Sequence, residues 1–274
     1  MNLRSLLFVP ANRLELLAKV PRWQPDAVVV DLEDAVPDAE KDAARRALSE
    51  ADLSVAGSPV LIRVNPAGTP WHDADVAACV DTASAGVVLP KAEDADAVVG
   101  LRERLAKAAP ELGLVLGIES ALGVARARQL LATGVTAGFF GSEDFLADMG
   151  GRRSGTGVEV LYARSEVVLA GRLAGVPMVD QAVVAVDDDA AFTADAETGR
   201  ALGYVGKICV HPRQVALAHA VFTPSEAEVA AARRVLDGAA SGVGVVDGLM
   251  VDAVHVRLAR QVLERAGLAE ERDQ

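Results

Sequence analysis

The chain has 274 residues, 51% of them hydrophobic, with a formal net charge of -12 and a pI near 4.8. This size and composition favour one large α/β domain or two small ones, and they exclude a wholly disordered chain. The acidic balance argues against general binding to nucleic acids or anionic membranes, because both require a basic protein surface.

Neither a membrane span nor a signal peptide is predicted. No run of the sequence approaches the roughly 20 consecutive apolar residues that cross a bilayer. The first apolar run is short and ends at Pro10, which is atypical of a signal peptide. The two cysteines, Cys79 and Cys209, lack metal-ligand spacing, so we expect buried free thiols in a reducing compartment. These features predict a soluble, cytoplasmic protein.

Short apolar runs recur along the chain, and each is followed by a segment with apolar residues at three- and four-residue spacing, as in amphipathic helices. Eight strand–helix units are the number that closes a (β/α)8 TIM barrel, which we predict over residues 1–222. A doubly wound open sheet is the alternative, but VPANR is not the Gly-rich turn that such a sheet usually carries after its first strand. The runs are SLLFVP (5–10), AVVVDLED (27–34), VLIRVNP (60–66), GVVLPK (86–91), LVLGIES (114–120), AGFFGSED (137–144), VPMVDQAV (176–183) and GKICVHP (206–212).

Residues 223–274 are predicted to form a helical appendage. TPSEAEVAAARRVLDGA reads as a helix with Thr223 or Ser225 as its N-cap. A Gly-rich stretch, residues 238–248, then reads as a hinge, and a last amphipathic helix runs from about Asp252 to Ala266. We interpret this segment as a lid on a single barrel.

Ionisable residues end seven of the eight runs. In a parallel barrel the carboxyl ends of all strands open on one face, where active sites lie, so we predict a shared cavity there. In chain order the residues are Asp31, Glu33 and Asp34, then Arg63 and Asn65, Lys91, Glu119, Glu143 and Asp144, Asp180 and His211.

Alternation along each strand indicates which of these side chains point inward together. Asp31 and Glu33 share one face of their strand, and Arg63 and Asn65 share one face of the next. Asp34 faces the other way and either joins the cavity or caps the following helix.

Several carboxylates at one mouth repel one another unless a cation lies among them. The donors are oxygens without a His or Cys cluster, which favours Mg²⁺, or Mn²⁺, over Zn²⁺. Glu119 and Asp144 end adjacent strands and form the natural ligand pair; the alternative is that both are helix caps or salt-bridge partners.

The basic residues of the mouth leave two interpretations open. Arg63 lies among apolar neighbours, so its planar guanidinium needs an anionic partner, either a nearby Asp or Glu or a substrate carboxylate. Lys91 is either a second anion contact or the internal partner of Glu33. His211 precedes Pro212 and is interpreted as a structural hydrogen-bonding residue.

The motifs that contain these residues resemble those of the citrate lyase beta-subunit-like family. This family is a branch of the HpcH/HpaI aldolase superfamily that also holds malyl-CoA and citramalyl-CoA lyases. The resemblance covers nearly the whole chain and is carried by RSLLFVPANR, VVVDLEDAV, IRVNP, LPKAE, GIESALGV, GSEDF, GKICVHPRQ, FTPSEAEVAAARRVL and DGLMVD.

The resemblance implies a Mg²⁺-dependent carbon–carbon lyase that acts on acyl-CoA thioesters of 3-hydroxy diacids and releases acetyl-CoA and a 2-oxo acid. By match to the motifs, Glu119 and Asp144 hold the metal, with Glu119 also bordering the substrate, and Arg63 binds the oxo-acid carboxylate. Arg13 and Lys19 contact the phosphates of CoA. Asp252 is the acid/base group, often supplied by a neighbouring subunit. Family members are commonly trimers or hexamers, so a homo-oligomer is expected.

Three other functions remain open at this point. The chain could be a CoA-independent 2-oxo-acid aldolase, although Arg13, Lys19 and the DGLMVD segment argue against that. It could be a beta subunit that receives its thioester from an acyl carrier protein within a multi-subunit lyase. A non-catalytic ligand-binding relative is disfavoured because the residues expected for the metal and the carboxylate are all present.

Overall fold

The computed structural model describes residues 3–238 and 243–268 and contains a closed barrel of parallel strands. Each strand pairs with the next along the chain, and the last pairs with the first through Ser5–Lys207, Leu6–Ile208 and Leu7–Cys209. The predicted TIM barrel is therefore confirmed. The strands are β1 (Ser5–Pro10), β2 (Ala27–Asp31), β3 (Val60–Arg63), β4 (Gly86–Leu89), β5 (Gly113–Ile118), β6 (Ala137–Phe140), β7 (Met178–Asp180) and β8 (Gly206–Cys209).

Continuous apolar runs form these strands because both of their faces are buried. Alternate residues fill the inside of the barrel, and the others pack against the helices. The interior cluster comprises Leu3, Leu6, Ala27, Val29, Leu61, Val88, Val115, Ala137, Phe139, Val179 and Ile208.

Helices connect successive strands and bury one face each, as the spacing predicted. In the helix Val158–Ala174, for example, Val160, Ala163, Val167 and Ala170 are buried at three- and four-residue intervals. Short 3-10 helices lie at Ala11–Arg22, Asp38–Glu40 and Leu53–Ala56. None of the helices within residues 3–238 and 243–268 has the length and apolarity needed to cross a bilayer. The α-helices up to residue 222 are α1 (Lys41–Glu50), α2 (His72–Val80), α3 (Ala95–Ala108), α4 (Ala121–Ala125), α5 (Ala127–Leu131), α6 (Ser142–Met149), α7 (Val158–Ala174), α8 (Asp189–Leu202) and α9 (Arg213–Phe222).

The chain divides into two compact units, residues 1–219 and 220–274. The second unit contains α10 (Glu226–Gly238) and α11 (Ala253–Arg265). Ser225 caps α10: its Oγ accepts a hydrogen bond from the Glu228 N–H at 3.2 Å, and the Glu228 carboxylate accepts one from the Ser225 N–H at 2.8 Å.

The structure describes only part of the stretch that was predicted as a hinge, residues 238–248. Gly238 ends α10, residues 239–242 lie outside the described residues, and residues 244–248 belong to an antiparallel hairpin of β9 (Gly244–Val246) and β10 (Leu249–Val251). Asp247 and Gly248 form its two-residue turn with φ of 52° and 79°. An Asp-Gly pair between apolar residues is a strong hairpin signal, because both turn positions require positive φ.

Both cysteines are free and fully buried. Burial raises the pKa of each thiol, to about 12 for Cys209, so neither is a thiolate at neutral pH. We expect the native protein to resist labelling by a chromogenic disulfide reagent, and both thiols to react once guanidinium unfolds the chain. Rapid labelling of the native protein would contradict this burial.

Candidate functional site

Three strands direct charged side chains toward the open end of the barrel. Val29, Leu61 and Val115 belong to the interior cluster. Because side chains alternate along a strand, Asp31 and Arg63 follow on the same inward-facing sides. Glu119 comes directly after the last residue of β5, and its carboxylate accepts a hydrogen bond from the Lys91 N–H. All three are buried. The strand alternation read from the sequence is therefore correct for Asp31 and Arg63.

The Arg63 guanidinium is held by acids of the preceding strand. Its Nε and Nη2 donate hydrogen bonds of 2.7 Å each to the two carboxylate oxygens of Asp31. Its Nη1 lies 2.8 Å from Oε2 of Glu33, as an ion pair without hydrogen-bond alignment, and the guanidinium lies over the Phe8 ring at 5.2 Å. Burial acts to lower the pKa of Arg63, but the bonds and charge of Asp31 and the charge of Glu33 raise it overall. The internal-partner interpretation of Arg63 is thus observed.

Lys91 links four carboxylates at the mouth. Its Nζ lies 2.7 Å from Glu33, 3.2 Å from Asp34 and 3.3 Å from Asp144. Its backbone has φ of 49°, in the left-handed region, and its N–H donates to Oε2 of Glu119 at 3.0 Å. Strained backbone of this kind is common at functional sites. Glu119 and Asp144, the predicted ligand pair, therefore both contact Lys91.

Glu119 is buried in a space that two glycines leave open. A Cβ on Gly117 would lie 2.8 Å from Oε1 of Glu119, and a Cβ on Gly141 would lie 2.6 Å from its Cγ. Burial raises the pKa of Glu119 to about 8, and the charges of Glu33 and Asp144 add to the effect. A carboxyl group in such surroundings gains strongly from a nearby cation.

We define the mouth cluster as Asp31, Glu33, Asp34, Arg63, Lys91, Glu119 and Asp144, which has five acids against two cations. No group of three or more His, Cys, Asp or Glu side chains in the described part of the chain is arranged to hold a metal ion. Mg²⁺ commonly takes only one or two protein carboxylates and completes its octahedron with water and substrate oxygens. The excess acid and the buried Glu119 carboxyl therefore fit this ion.

Asp180, predicted at the mouth, faces outward. Val179 points into the barrel, so Asp180 points toward the helices. There it accepts hydrogen bonds from Arg164 Nε at 2.9 Å and Lys207 Nζ at 2.8 Å, and it has no exposed surface. Arg164 and Lys207 also contact Asp195 of α8. This ion network ties α7 and α8 to the barrel wall, and Asp180 does not belong to the mouth cluster.

Two further residues predicted at the mouth have other partners. Asn65 does not share the position of Arg63, because β3 ends at Arg63 and the Asn65 amide donates instead to Leu32 O at 3.0 Å and to Asp75 of α2 at 2.6 Å. Glu143 lies in the first turn of α6 and binds Arg153 from the loop 150–157, with Arg153 Nε donating at 2.9 Å. That loop is therefore attached to the start of α6.

The capping alternative for Asp34 is wrong, because the N-cap of α1 is Glu40 and Asp34 contacts Lys91. His211 accepts a weak hydrogen bond of 3.4 Å from the Arg213 N–H, in agreement with a structural role. No partner for His219 was predicted from the sequence, yet its Nε2 lies 2.8 Å from Ser5 Oγ.

The predicted CoA contacts lie on the 3-10 segment Ala11–Arg22 that follows β1. Arg13 and Lys19 are both exposed, and Arg13 donates to Glu15 at 2.6 Å. Beside Arg13, a groove of about 410 Å³ runs between this segment and α1, lined by Ala11, Asn12, Leu14, Glu15, Glu40, Ala43, Ala44 and Ala47. The two cations are therefore accessible to an anionic ligand.

Asp252 is the N-cap of α11. Its Oδ1 accepts hydrogen bonds from the Val254 N–H at 2.9 Å and from His255 Nδ1 at 2.8 Å. The bond from His255, followed by those from the backbone, lowers the pKa of Asp252. The carboxylate is thus ionised at neutral pH and has a structural function in addition to the chemical role predicted for it.

The prediction that Glu119 is a Mg²⁺ ligand implies that Mg²⁺ binding depends on pH, because the carboxyl group must lose its proton to become a ligand. With the Glu119 pKa at about 8, affinity should rise about tenfold per pH unit up to about pH 8 and then level off. The stability of the metal-free protein changes with pH in the opposite direction. The raised pKa of Glu119 stabilises the fold at pH values below the ordinary carboxyl pKa, and this stabilisation is lost as pH rises through the folded-state pKa. Calorimetric titration of chelator-treated protein across this range tests it, and a flat affinity profile would contradict it.

A closed parallel barrel with a charged mouth at the carboxyl ends of its strands is the architecture of a TIM-barrel enzyme. Residues 4–212 match the HpcH/HpaI aldolase/citrate lyase family, and residues 163–269 match a carbon–carbon bond lyase family of the TIM-barrel fold. The chain is a member of the HpcH/HpaI aldolase/citrate lyase family. The predicted membership of a family of lyases is confirmed.

Individual relatives cover almost the whole chain. The citrate lyase subunit beta-like protein of Deinococcus radiodurans is 45% identical, covering 95% of this chain and 96% of its own. The (3S)-malyl-CoA thioesterase of Cereibacter sphaeroides is 33% identical, covering 96% and 94%. A crystal structure of protein CitE from Mycobacterium tuberculosis in complex with magnesium, acetoacetate and coenzyme A is 32% identical, with a TM-score of 0.84, and covers 96% of this chain and 97% of that one.

Proposed function

We propose that the chain is a Mg²⁺-dependent carbon–carbon lyase that cleaves a 3-hydroxydiacyl-CoA, such as malyl-CoA or citramalyl-CoA, or forms it in reverse. In malyl-CoA the bond breaks between the hydroxyl-bearing carbon and the carbon next to the thioester. Glyoxylate and acetyl-CoA are released, and a proton is gained on the new methyl group while the hydroxyl proton is lost. Citramalyl-CoA gives pyruvate in the same way.

The observation that carries this proposal is the contact of both Glu119 and Asp144 with Lys91, beside the guanidinium of Arg63. This arrangement places two hard oxygen ligands for a metal ion beside a guanidinium that can bind a substrate carboxylate. The magnesium, acetoacetate and coenzyme A named for the CitE structure are the ligands that such a site would take.

Glu119 and Asp144 would hold Mg²⁺, or Mn²⁺ in its place, and Lys91 would keep the surrounding acids Glu33 and Asp34 neutralised. When bound, the ion stabilises negative charge that develops on the substrate oxygens. Arg63 has five N–H donors and uses two of them in hydrogen bonds to Asp31, so three remain, beside the ion pair with Glu33, for an oxo-acid carboxylate.

Arg13 and Lys19 are assigned to the CoA phosphates because both are exposed on one short segment. Asp252 is assigned to proton transfer, and its lowered pKa keeps it ionised at neutral pH, which is the form that can accept a proton. Asp31 would fix the orientation of Arg63 through its two hydrogen bonds.

The proposal is tested by incubating the purified chain and Mg²⁺ with malyl-CoA, citramalyl-CoA or 3-hydroxy-3-methylglutaryl-CoA. A lyase releases acetyl-CoA without free CoA thiol, whereas a thioesterase, as the Cereibacter relative is named, releases free CoA and the intact hydroxy acid. Chromatography that separates the products distinguishes the two. Cleavage of free hydroxy acids without CoA would instead identify an aldolase, and no turnover with any substrate would reject catalysis.

A second candidate is a citrate lyase beta subunit that acts on a thioester of an acyl carrier protein. The similarity to a citrate lyase subunit beta-like protein favours it. Turnover of an acyl-carrier thioester with no turnover of the matching CoA ester would select this function. Turnover of the free CoA ester at a comparable rate would reject it.

Replacing Arg63 with Lys should weaken the binding of glyoxylate or pyruvate in the presence of Mg²⁺ by about tenfold or more. An ammonium cannot keep both hydrogen bonds to Asp31 and also bind a carboxylate in bidentate fashion. Calorimetry measures the change. Arg45→Lys is the matched control, because Arg45 also binds acids, Asp42 and Asp75, but lies outside the mouth cluster. Equal affinity in both variants would contradict the assignment.

We further propose that the protein works in the cytoplasm as a homo-oligomer, a trimer or hexamer. Its two free, buried thiols are compatible with a reducing compartment. Sedimentation of the purified chain measures the oligomer directly.

A further inference from the structure

Helix α7 exposes an apolar stripe on the side opposite its buried face. Val158 is 67% exposed, Tyr162 79%, Leu169 46% and Leu173 67%. Large apolar side chains that line up on one exposed face are a mark of an interaction surface, unlike isolated ones. We call these four residues the α7 stripe.

The α7 stripe is symmetric about the middle of its helix. At 100° per residue, its four side chains lie within about 30° of one line along the helix. The midpoint falls between Ser165 and Glu166. A second α7 that runs antiparallel would therefore set Tyr162 opposite Leu169 of the other copy and Val158 opposite Leu173. A surface that matches itself after a two-fold rotation is suited to an isologous contact.

The charge at the middle of the stripe is compatible with such pairing. A two-fold axis there brings the two Glu166 side chains near each other, which would be repulsive for bare carboxylates. Each Glu166 is already paired with Arg128 of α5, whose Nε donates to it at 2.9 Å. Each Glu166 carboxylate therefore keeps Arg128 of its own copy as a counter-ion in the contact.

We propose that α7 forms a two-fold interface with α7 of a second copy of this chain, packed antiparallel about Ser165. Tyr162 would be the anchor, since Tyr is enriched among residues that dominate interface energetics. With flanking side chains, the contact would bury on the order of 1,000 Å², the lower limit for a specific interface. The proposal is independent of the catalytic function. Of the two expected oligomers it selects the hexamer, because two-fold axes occur in a dimer of trimers and not in a single trimer.

Cross-linking of single-cysteine substitutions tests the register. Ser165→Cys should give covalent dimers with a short bismaleimide, because the two copies of this position lie beside the axis. Arg172→Cys is the control on the same helix, since its two copies would lie about 20 Å apart along the helix. Cys79 and Cys209 are fully buried, so the background should be low.

A mixture of Tyr162→Cys and Leu169→Cys proteins gives a second, more stringent readout. The proposed register sets these positions opposite each other, so mixed dimers should exceed those of either protein alone, in which like positions lie about 10 Å apart along the helix. Leu169→Glu should also halve the particle mass in sedimentation while circular dichroism stays unchanged. Equal cross-linking of the Ser165→Cys and Arg172→Cys proteins, or an unchanged mass for Leu169→Glu, would overturn the interface. Neither readout depends on turnover, so the lyase proposal is tested separately.

Discussion

Replacing Glu119 with Gln is expected to weaken Mg²⁺ binding and to slow turnover, each by at least about a hundredfold. The amide keeps the volume of the side chain between Gly117 and Gly141 but removes the negative charge that a divalent ion requires. Because burial raises the Glu119 pKa to about 8, the group is largely protonated at neutral pH without metal. The neutral substitution should therefore leave the metal-free protein at least as stable as the wild type.

Thermal unfolding with and without Mg²⁺ separates the loss of binding from a loss of fold. Wild-type protein should gain about 2.7 kcal/mol of unfolding free energy at a Mg²⁺ concentration one hundred times the dissociation constant, and the Glu119→Gln protein should gain almost none. Asp34→Asn is the matched control, because Asp34 also contacts Lys91 but is more exposed and is not assigned as a ligand. An equal loss in both proteins would mean that only the total charge of the mouth cluster matters. A normal Mg²⁺-dependent gain in Glu119→Gln would reject the metal assignment.

The barrel was predictable because its signal is repeated and local. Each strand is an apolar run that is buried on both faces, and the positions of all eight runs follow from composition and spacing alone. Contacts within one strand or between adjacent strands could also be predicted from the sequence. Asp31 and Glu33 share a face by alternation, and both contact Arg63 of the adjacent strand.

The two errors in the site arise from the direction in which a strand residue faces and from the position at which a strand ends. In the β7 run the inward position is Val179, so Asp180 turns to the helices and meets Arg164 and Lys207, which the sequence did not connect to it. Asn65 lies beyond the last residue of β3, where alternation no longer applies. An apolar run marks a strand, but it does not fix its last paired residue.

The central position of Lys91 depends on backbone geometry that alternation does not describe. Its left-handed φ turns the N–H toward Glu119 while the side chain extends to Glu33 and Asp144. The sequence allowed Lys91 to be a partner of Glu33, which is correct, but the additional contacts with Glu119 and Asp144 required coordinates. The hairpin at Asp247 and Gly248 differs, because its turn signal was present in the sequence and was interpreted as part of a hinge.

Replacing Asp252 with Asn is expected to slow turnover by at least about a hundredfold while Mg²⁺ and CoA binding remain unchanged, in the range of general acid/base groups. Asn has been chosen because Asp252 also caps α11, and Asn is about as good a cap as Asp. The substitution therefore removes the proton-transferring group and keeps the helix start. Single-turnover kinetics with saturating substrate measures the chemical step, and calorimetry measures the two binding constants.

Asp252→Ala separates the two functions of this residue. It loses both the carboxylate and the hydrogen bonds from the Val254 and His255 N–H groups, so it should unfold at a lower temperature than Asp252→Asn. If proton transfer is the main role, both variants should be slow to a similar degree, although only one is less stable. If the cap is the main role, Asp252→Asn should turn over normally and only Asp252→Ala should lose activity. In the first case the cap and the chemistry use the same carboxylate, which the capping bonds keep ionised by lowering its pKa.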